Sequence, residues 1–144
     1  LSKTVVASGL IILIGLAILT GALFISNPII LKSPTNEKTY LYQYTVNSVK
    51  VGLKLPDSYY RIWVEILNIG NATLHITDVR NNLGWEVMGG IERFIPVGNT
   101  TTYVITKGVG KTLTENTNFI ITFIFEHAQQ LNINNSLAGI IYEP

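Results

Sequence analysis

The sequence predicts an α+β chain in which one long amino-terminal helix precedes a small antiparallel β-sandwich. Three observations lead there. Residues 4–31 contain no charged side chain, apolar residues recur with period two after residue 38, and clusters of Gly, Pro, Asn and Asp cut the remainder into short segments. Long uncharged apolar runs favour helices, while short alternating runs between turn residues favour strands.

The apolar run reads as a transmembrane helix. At about 1.5 Å per residue, the part ahead of Pro28 reaches roughly 36 Å, enough to cross a bilayer. Two regions are expected: residues 1–31 as the hydrophobic helix, and residues 32–144 as an extracellular domain. Within the helix Ser8, Gly15 and Ala22 repeat at a regular interval, with Gly9, Ala17 and Gly21 beside them. Small side chains let helix backbones approach closely. Each interior glycine also costs about 1 kcal/mol of helix propensity relative to alanine. A solitary anchor gains nothing in return, so the stripe predicts helices packed in a helical assembly. Asn27 and Pro28 form the expected hinge, because proline lacks a backbone donor and drives its predecessor out of helical geometry. Residues 32–38 are a short polar linker.

Beyond it, Tyr40, Tyr42, Tyr44 and Val46 share one face of a strand, and a second strand continues through Val49, Val51 and Leu53. Alternation over residues 60–66 and again over 74–79, around Asn68-Ile-Gly70-Asn71, predicts a β-hairpin. This Trp63-to-Ile76 stretch also has the paired-strand pattern of immunoglobulin-like modules. Short strands are expected near residues 85–88 and 91–95, then at 101–106, 117–126 and 137–142. In residues 117–126, Phe119, Ile121, Phe123 and Phe125 oppose Ile120, Thr122 and Ile124, which predicts a central strand buried on both faces.

Composition narrows the function. Charged residues are 13% of the 144 and the net charge is +1, about half the usual charged share of roughly 25%. No nucleic-acid partner is expected. Asn and Thr take the place of charge, and their hydration is insensitive to acid. Cysteine is absent, which removes disulfides and thiolate chemistry. Three sequons, Asn71-Ala-Thr73, Asn99-Thr-Thr101 and Asn134-Asn-Ser136, fit N-glycosylation of an exported domain at Asn71, Asn99 and Asn134.

An uncharged helix at the amino terminus followed by an Asn/Thr-rich β domain with sequons resembles the archaeal type IV pilins, most closely the adhesion pilins of thermoacidophiles. The resemblance implies a structural subunit of a cell-surface adhesion filament. It implies a prepilin peptidase that cuts a short basic leader ahead of Leu1, a membrane-inserted stage, identical subunits as partners, and an assembly ATPase with its platform. Bacterial type IV pilins usually carry glutamate where Val5 stands, so that branch is disfavoured. Two alternatives share this layout: an archaellum filament subunit, and a membrane-anchored extracytoplasmic binding or accessory domain.

Enzymatic readings find little support in the sequence. Lys107-Gly-Val-Gly110-Lys111-Thr112 ends like a phosphate-binding loop, but Ile105 occupies the place of the motif's first glycine and no helix is predicted to follow. His75 and Asp78 lie three apart, which on a regular strand places them on opposite faces. His127 has no predicted partner. The carboxylates show no metal-ligand or paired acid/base spacing. Tyr40, Tyr42, Tyr44, Tyr59 and Tyr60 suit core or subunit contact better than a sugar-binding patch. No cofactor is expected.

Overall fold

A computed structural model describes residues 24–35, 37–54, 59–107, 117–136 and 141–143. Twelve strands run through them: β1 (Phe24–Ile25), β2 (Ile29–Lys32), β3 (Thr39–Tyr42), β4 (Tyr44–Lys54), β5 (Tyr59–Asn68), β6 (Leu74–Asn81), β7 (Glu86–Met88), β8 (Arg93–Ile95), β9 (Thr100–Thr106), β10 (Asn118–Phe125), β11 (Leu131–Ser136) and β12 (Ile141–Glu143). One sheet has the order β1-β4-β5-β9-β7, with β12 parallel to β4. The second is β11-β10-β6-β8, and β2 and β3 form a separate ribbon.

The two larger sheets face each other across one apolar core. Val46, Ile62, Val64, Ile66, Tyr103 and Ile105 come from one side; Leu74, Ile76, Ile95, Phe119, Ile121 and Phe123 come from the other. Aromatic rings span the gap. Tyr44 stacks on Phe125 at 4.5 Å, and Tyr103 meets Phe123 edge-on at 5.0 Å, the geometries that aromatic quadrupoles favour.

The architecture of the described residues is all-β, which corrects the α+β expectation. The helix expected to run to residue 31 is replaced by β1 and β2 over its last part. The cause is local capture. Ser26 is buried; it donates its amide to the Tyr44 carbonyl at 2.9 Å and accepts the Tyr44 amide on Oγ at 2.8 Å. Thr45 Oγ1 donates to the Phe24 carbonyl at 2.9 Å. These bonds hold the backbone beside β4, and Pro28 forbids a continuous helical ladder. Asn27 and Pro28 therefore connect two strands rather than hinge a helix, with the Asn27 amide donating to Gln129 Oε1 at 3.0 Å. No helix among the described residues is long and apolar enough to cross a membrane, so they supply neither the transmembrane helix nor the helical assembly expected above. Ser8, Gly9, Gly15, Ala17, Gly21 and Ala22 lie outside the described residues.

Several strand expectations also change, and β11, over Leu131–Ser136, lies where the sequence pattern predicts no strand. The strand expected over Tyr40–Val46 is divided at Gln43: Tyr40 and Tyr42 belong to β3, whereas Tyr44 and Val46 join the segment expected as the next strand in one long β4, whose pairing with β5 shifts register between Val46 and Ser48. That bulge places Tyr44 and Val46 before it, and Val49 and Val51 after it, on the core side, as one extra residue must reverse the alternation. Strand β10 is central in its sheet but buried on one face only; its Ile120 is 43% exposed. Finally, β5 and β6 do not pair: they belong to opposite sheets.

The reason lies at Asn68, buried at the end of β5. Its Nδ2 donates to the Ala72 and Ile95 carbonyls, each at 2.8 Å, and its Oδ1 accepts the Gly70 amide at 2.9 Å. Hydrogen bonds from an asparagine side chain thus replace the hairpin turn and carry the chain across the sandwich. Gly70 fits tightly there, because a Cβ would overlap the Leu41 carbonyl oxygen.

Asn68→Ala strands buried backbone groups at 1–3 kcal/mol each, so it is expected to lower unfolding free energy by about 2–4 kcal/mol. Urea titration should show the shift in midpoint with an unchanged slope. Gly70→Ala should also destabilise, through the clash with Leu41 rather than through backbone torsion.

Candidate functional site

The densest cluster of ionisable groups among the described residues surrounds His75. On β6, Leu74 and Ile76 point into the core, which turns His75 outward. Its Nδ1 lies 2.8 Å from Glu126 Oε2, just past the end of β10, and its Nε2 lies 2.7 Å from Glu92 Oε1, just ahead of β8. The Phe94 ring stacks on the imidazole at 4.1 Å, nearly parallel to it. His127 approaches Glu126 at 3.6 Å and packs against Tyr42 at 5.0 Å.

This arrangement favours the imidazolium. With a carboxylate at each ring nitrogen, both nitrogens act best as donors. The Glu126 hydrogen bond is the largest influence raising the His75 pKa, with Glu92 adding to it and desolvation opposing. The same bond holds the Glu126 carboxyl below its ordinary range. Both ring nitrogens are engaged by carboxylates, and among the described residues no group of three His, Cys, Asp or Glu side chains is placed to hold a metal ion. The clamp ties three strands together by charge.

Asp78 does not join it. A register shift between Ile124 and Phe125 disrupts the β6–β10 ladder, so that Ile76 and Val79 both reach the core, and His75 and Asp78 share the outer side despite their odd spacing. Asp78 nevertheless accepts from Arg80 Nε at 2.7 Å. The Glu partners of His75 stand 17 and 51 residues away in sequence, which is why local spacing does not reveal them. No family model and no curated protein matches this chain.

Of the phosphate-loop look-alike, only Lys107 lies within the described residues. Its ammonium stands over the Tyr60 ring at 5.9 Å, and the remainder of the motif is outside them. Among the described tyrosines, Tyr40 and Tyr42 lie near one another with ring centroids 6.4 Å apart, while Tyr44 and Tyr60 have other surroundings. Tyr44 is core, Tyr42 is half-buried against the core and His127, Tyr40 lies under Lys38, and Tyr60 packs near Trp85; the Tyr59 side chain falls outside the described set.

All three sequon asparagines are exposed. They differ in what their side chains do. Asn71 Oδ1 accepts the Leu41 amide at 2.7 Å while Nδ2 donates to the Thr39 carbonyl at 3.2 Å, so its amide splices the β5–β6 corner to β3. Asn99 sits after the Pro96-Val97-Gly98 turn, with Gly98 at φ 73°. Asn134 lies on β11 opposite Ile120.

Two outcomes follow. Because the folded His75 pKa is raised, its stabilising contribution is complete below the ordinary 6.5 and fades as pH rises through the folded value. Because that of Glu126 is lowered, its contribution is complete above 4.5 and fades as pH falls through the folded value. The clamp should therefore contribute most between these limits, and an NMR titration should place the His75 midpoint above 6.5, with the shift reduced in Glu126→Gln. In addition, Thr73→Ala should remove the first sequon with little effect on thermal unfolding, whereas Asn71→Gln should destabilise by about 1–2 kcal/mol through the two lost backbone bonds.

Proposed function

We propose that this chain is a structural subunit of an extracellular cell-surface filament of the type IV pilin kind, with adhesion as its role and association with identical copies as its activity. One observation carries the reading: the ordered polar side chains serve architecture. Asn68, Asn71 and Asn81 close corners, and Arg93 binds the Met88 and Thr102 carbonyls at 2.8 and 2.6 Å, joining β8 to the opposite sheet. None of these groups is aimed at a shared cleft.

The surface supports the same reading. It is poor in charge, rich in Asn and Thr, and carries three exposed sequons on turns and an outer strand face. Such a surface keeps its hydration across a wide pH range and has room for sugars at Asn99 and Asn134. On this reading identical copies would meet through the surface of the β domain, to which residues 24–32 contribute β1 and β2. The resemblance to pilins supplies the processing peptidase and the assembly ATPase as further partners.

Electron microscopy of surface appendages from the source cells, combined with mass spectrometry, tests this. Filaments built mainly from this chain, with glycan on Asn99 or Asn134, are expected. Recovery of the native chain solely as a dispersed monomer, absent from any appendage, would sink the reading.

A further inference from the structure

Strand β11 ends the β11-β10-β6-β8 sheet, and no described strand covers its outer side. Its backbone orientation follows from its neighbours. The Ile120 amide donates to Asn82 Oδ1 at 2.8 Å and its carbonyl accepts the Asn82 amide at 3.2 Å, so both point away from β11. Ile120 pairs with Asn134 and Thr122 with Asn132. In an antiparallel ladder such non-bonded pairs alternate with bonded ones, which turns the amides and carbonyls of Asn132, Asn134 and Ser136 to the open side. The Ser136 amide is already taken by Asn135 Oδ1 at 2.8 Å. Those of Asn132 and Asn134 remain available.

Natural sheet edges are blunted by charge, proline, bulges or brevity. The three-residue edge strands here follow that rule, β7 carrying Glu86, β8 Arg93 and β12 Glu143. By contrast β11 has six residues, Leu-Asn-Ile-Asn-Asn-Ser, without charge or proline, and its ladder with β10 is unbroken. We infer that β11 is a strand-pairing surface for β11 of a second copy of this chain, in antiparallel orientation about a two-fold axis through Ile133.

The self-pairing satisfies three conditions at once. Asn132 of each copy falls opposite Asn134 of the other, so the four free amides meet the four free carbonyls. Ile133 meets its own counterpart on the core side, where it is already 9% exposed, and extends the apolar row. An uncharged strand opposes no like charges when it meets itself. A strand bearing Arg93 or Glu86 would place an unmatched charge at such a junction. The contact rests on the fold and is independent of the filament reading.

Proline separates this contact from folding. Asn134→Pro deletes an amide that bonds nothing among the described residues, at a position where edge strands tolerate proline, yet removes two of the four intermolecular bonds. Sedimentation of the full chain, with amide hydrogen exchange read at Asn132 and Asn134, is the test. Protection of both amides should rise with protein concentration. Asn134→Pro should weaken association by about tenfold or more, Asn132→Lys should weaken it by setting two like charges at diagonal positions on one face of the junction, and Ser136→Ala, which removes the sequon alone, should leave it intact. Association unaffected by both Asn134→Pro and Asn132→Lys, or amides that exchange freely at every concentration, would overturn the assignment.

Discussion

A single buried carboxamide determines how this domain is connected. Asn68 stands where β5 leaves one sheet and the chain enters the other, and its side chain reaches Gly70, Ala72 and Ile95. Its backbone also participates: the Asn68 amide donates to the Asn99 carbonyl and its carbonyl accepts from Gly98, at 3.0 and 3.1 Å. Two stretches of chain, residues 70–72 and 95–99, therefore bond to one residue. An apolar residue there would leave those carbonyls desolvated without donors, and an exposed one would leave the corner open. Gly70 completes the arrangement by letting residues 69–71 lie against 41–43 with no side chain between them.

The core on either side of this corner depends on two departures from regular alternation. The irregularities in β4 and β6 each add a residue, and each realigns the apolar positions beyond it with the interior. Bulged strands also bend and twist more strongly, which suits long strands that must wrap a small core. Arg93 and Tyr103 close the far side, the guanidinium lying over the ring at 4.1 Å while the Tyr103 hydroxyl donates to the Ile91 carbonyl at 2.8 Å. Burial pushes the Tyr103 hydroxyl pKa up despite Arg93, consistent with a neutral donor inside the fold.

The surface combines two kinds of polar group with different responses to solvent. The His75 clamp is ionic and responds to pH, whereas the Asn-based splices are neutral and do not. A chain with few charges places a charged cluster where the ends of β8 and β10 meet β6. The corners built from Asn68, Asn71 and Asn81 stay intact through a change of pH.

Much of the strand content was legible in the sequence because alternation is a local property. Ile62, Val64 and Ile66, or Phe119, Ile121 and Phe123, announce a strand with one buried face regardless of what they meet. The turns at Asn81-Asn-Leu-Gly84 and Pro96-Val-Gly98 were equally readable from residues that permit tight or positive-φ backbone. Three features required the tertiary structure. Phe24–Lys32 became strands because β4 and β3 supply partners that composition cannot express, while the apolar run by itself suits a helix. Strands β5 and β6 separated because the bonds of Asn68 to Ala72 and Ile95 prevail over the local preference for a hairpin. His75 found Glu92 and Glu126 because sheet pairing brings distant segments side by side, a relation that no spacing along the chain encodes.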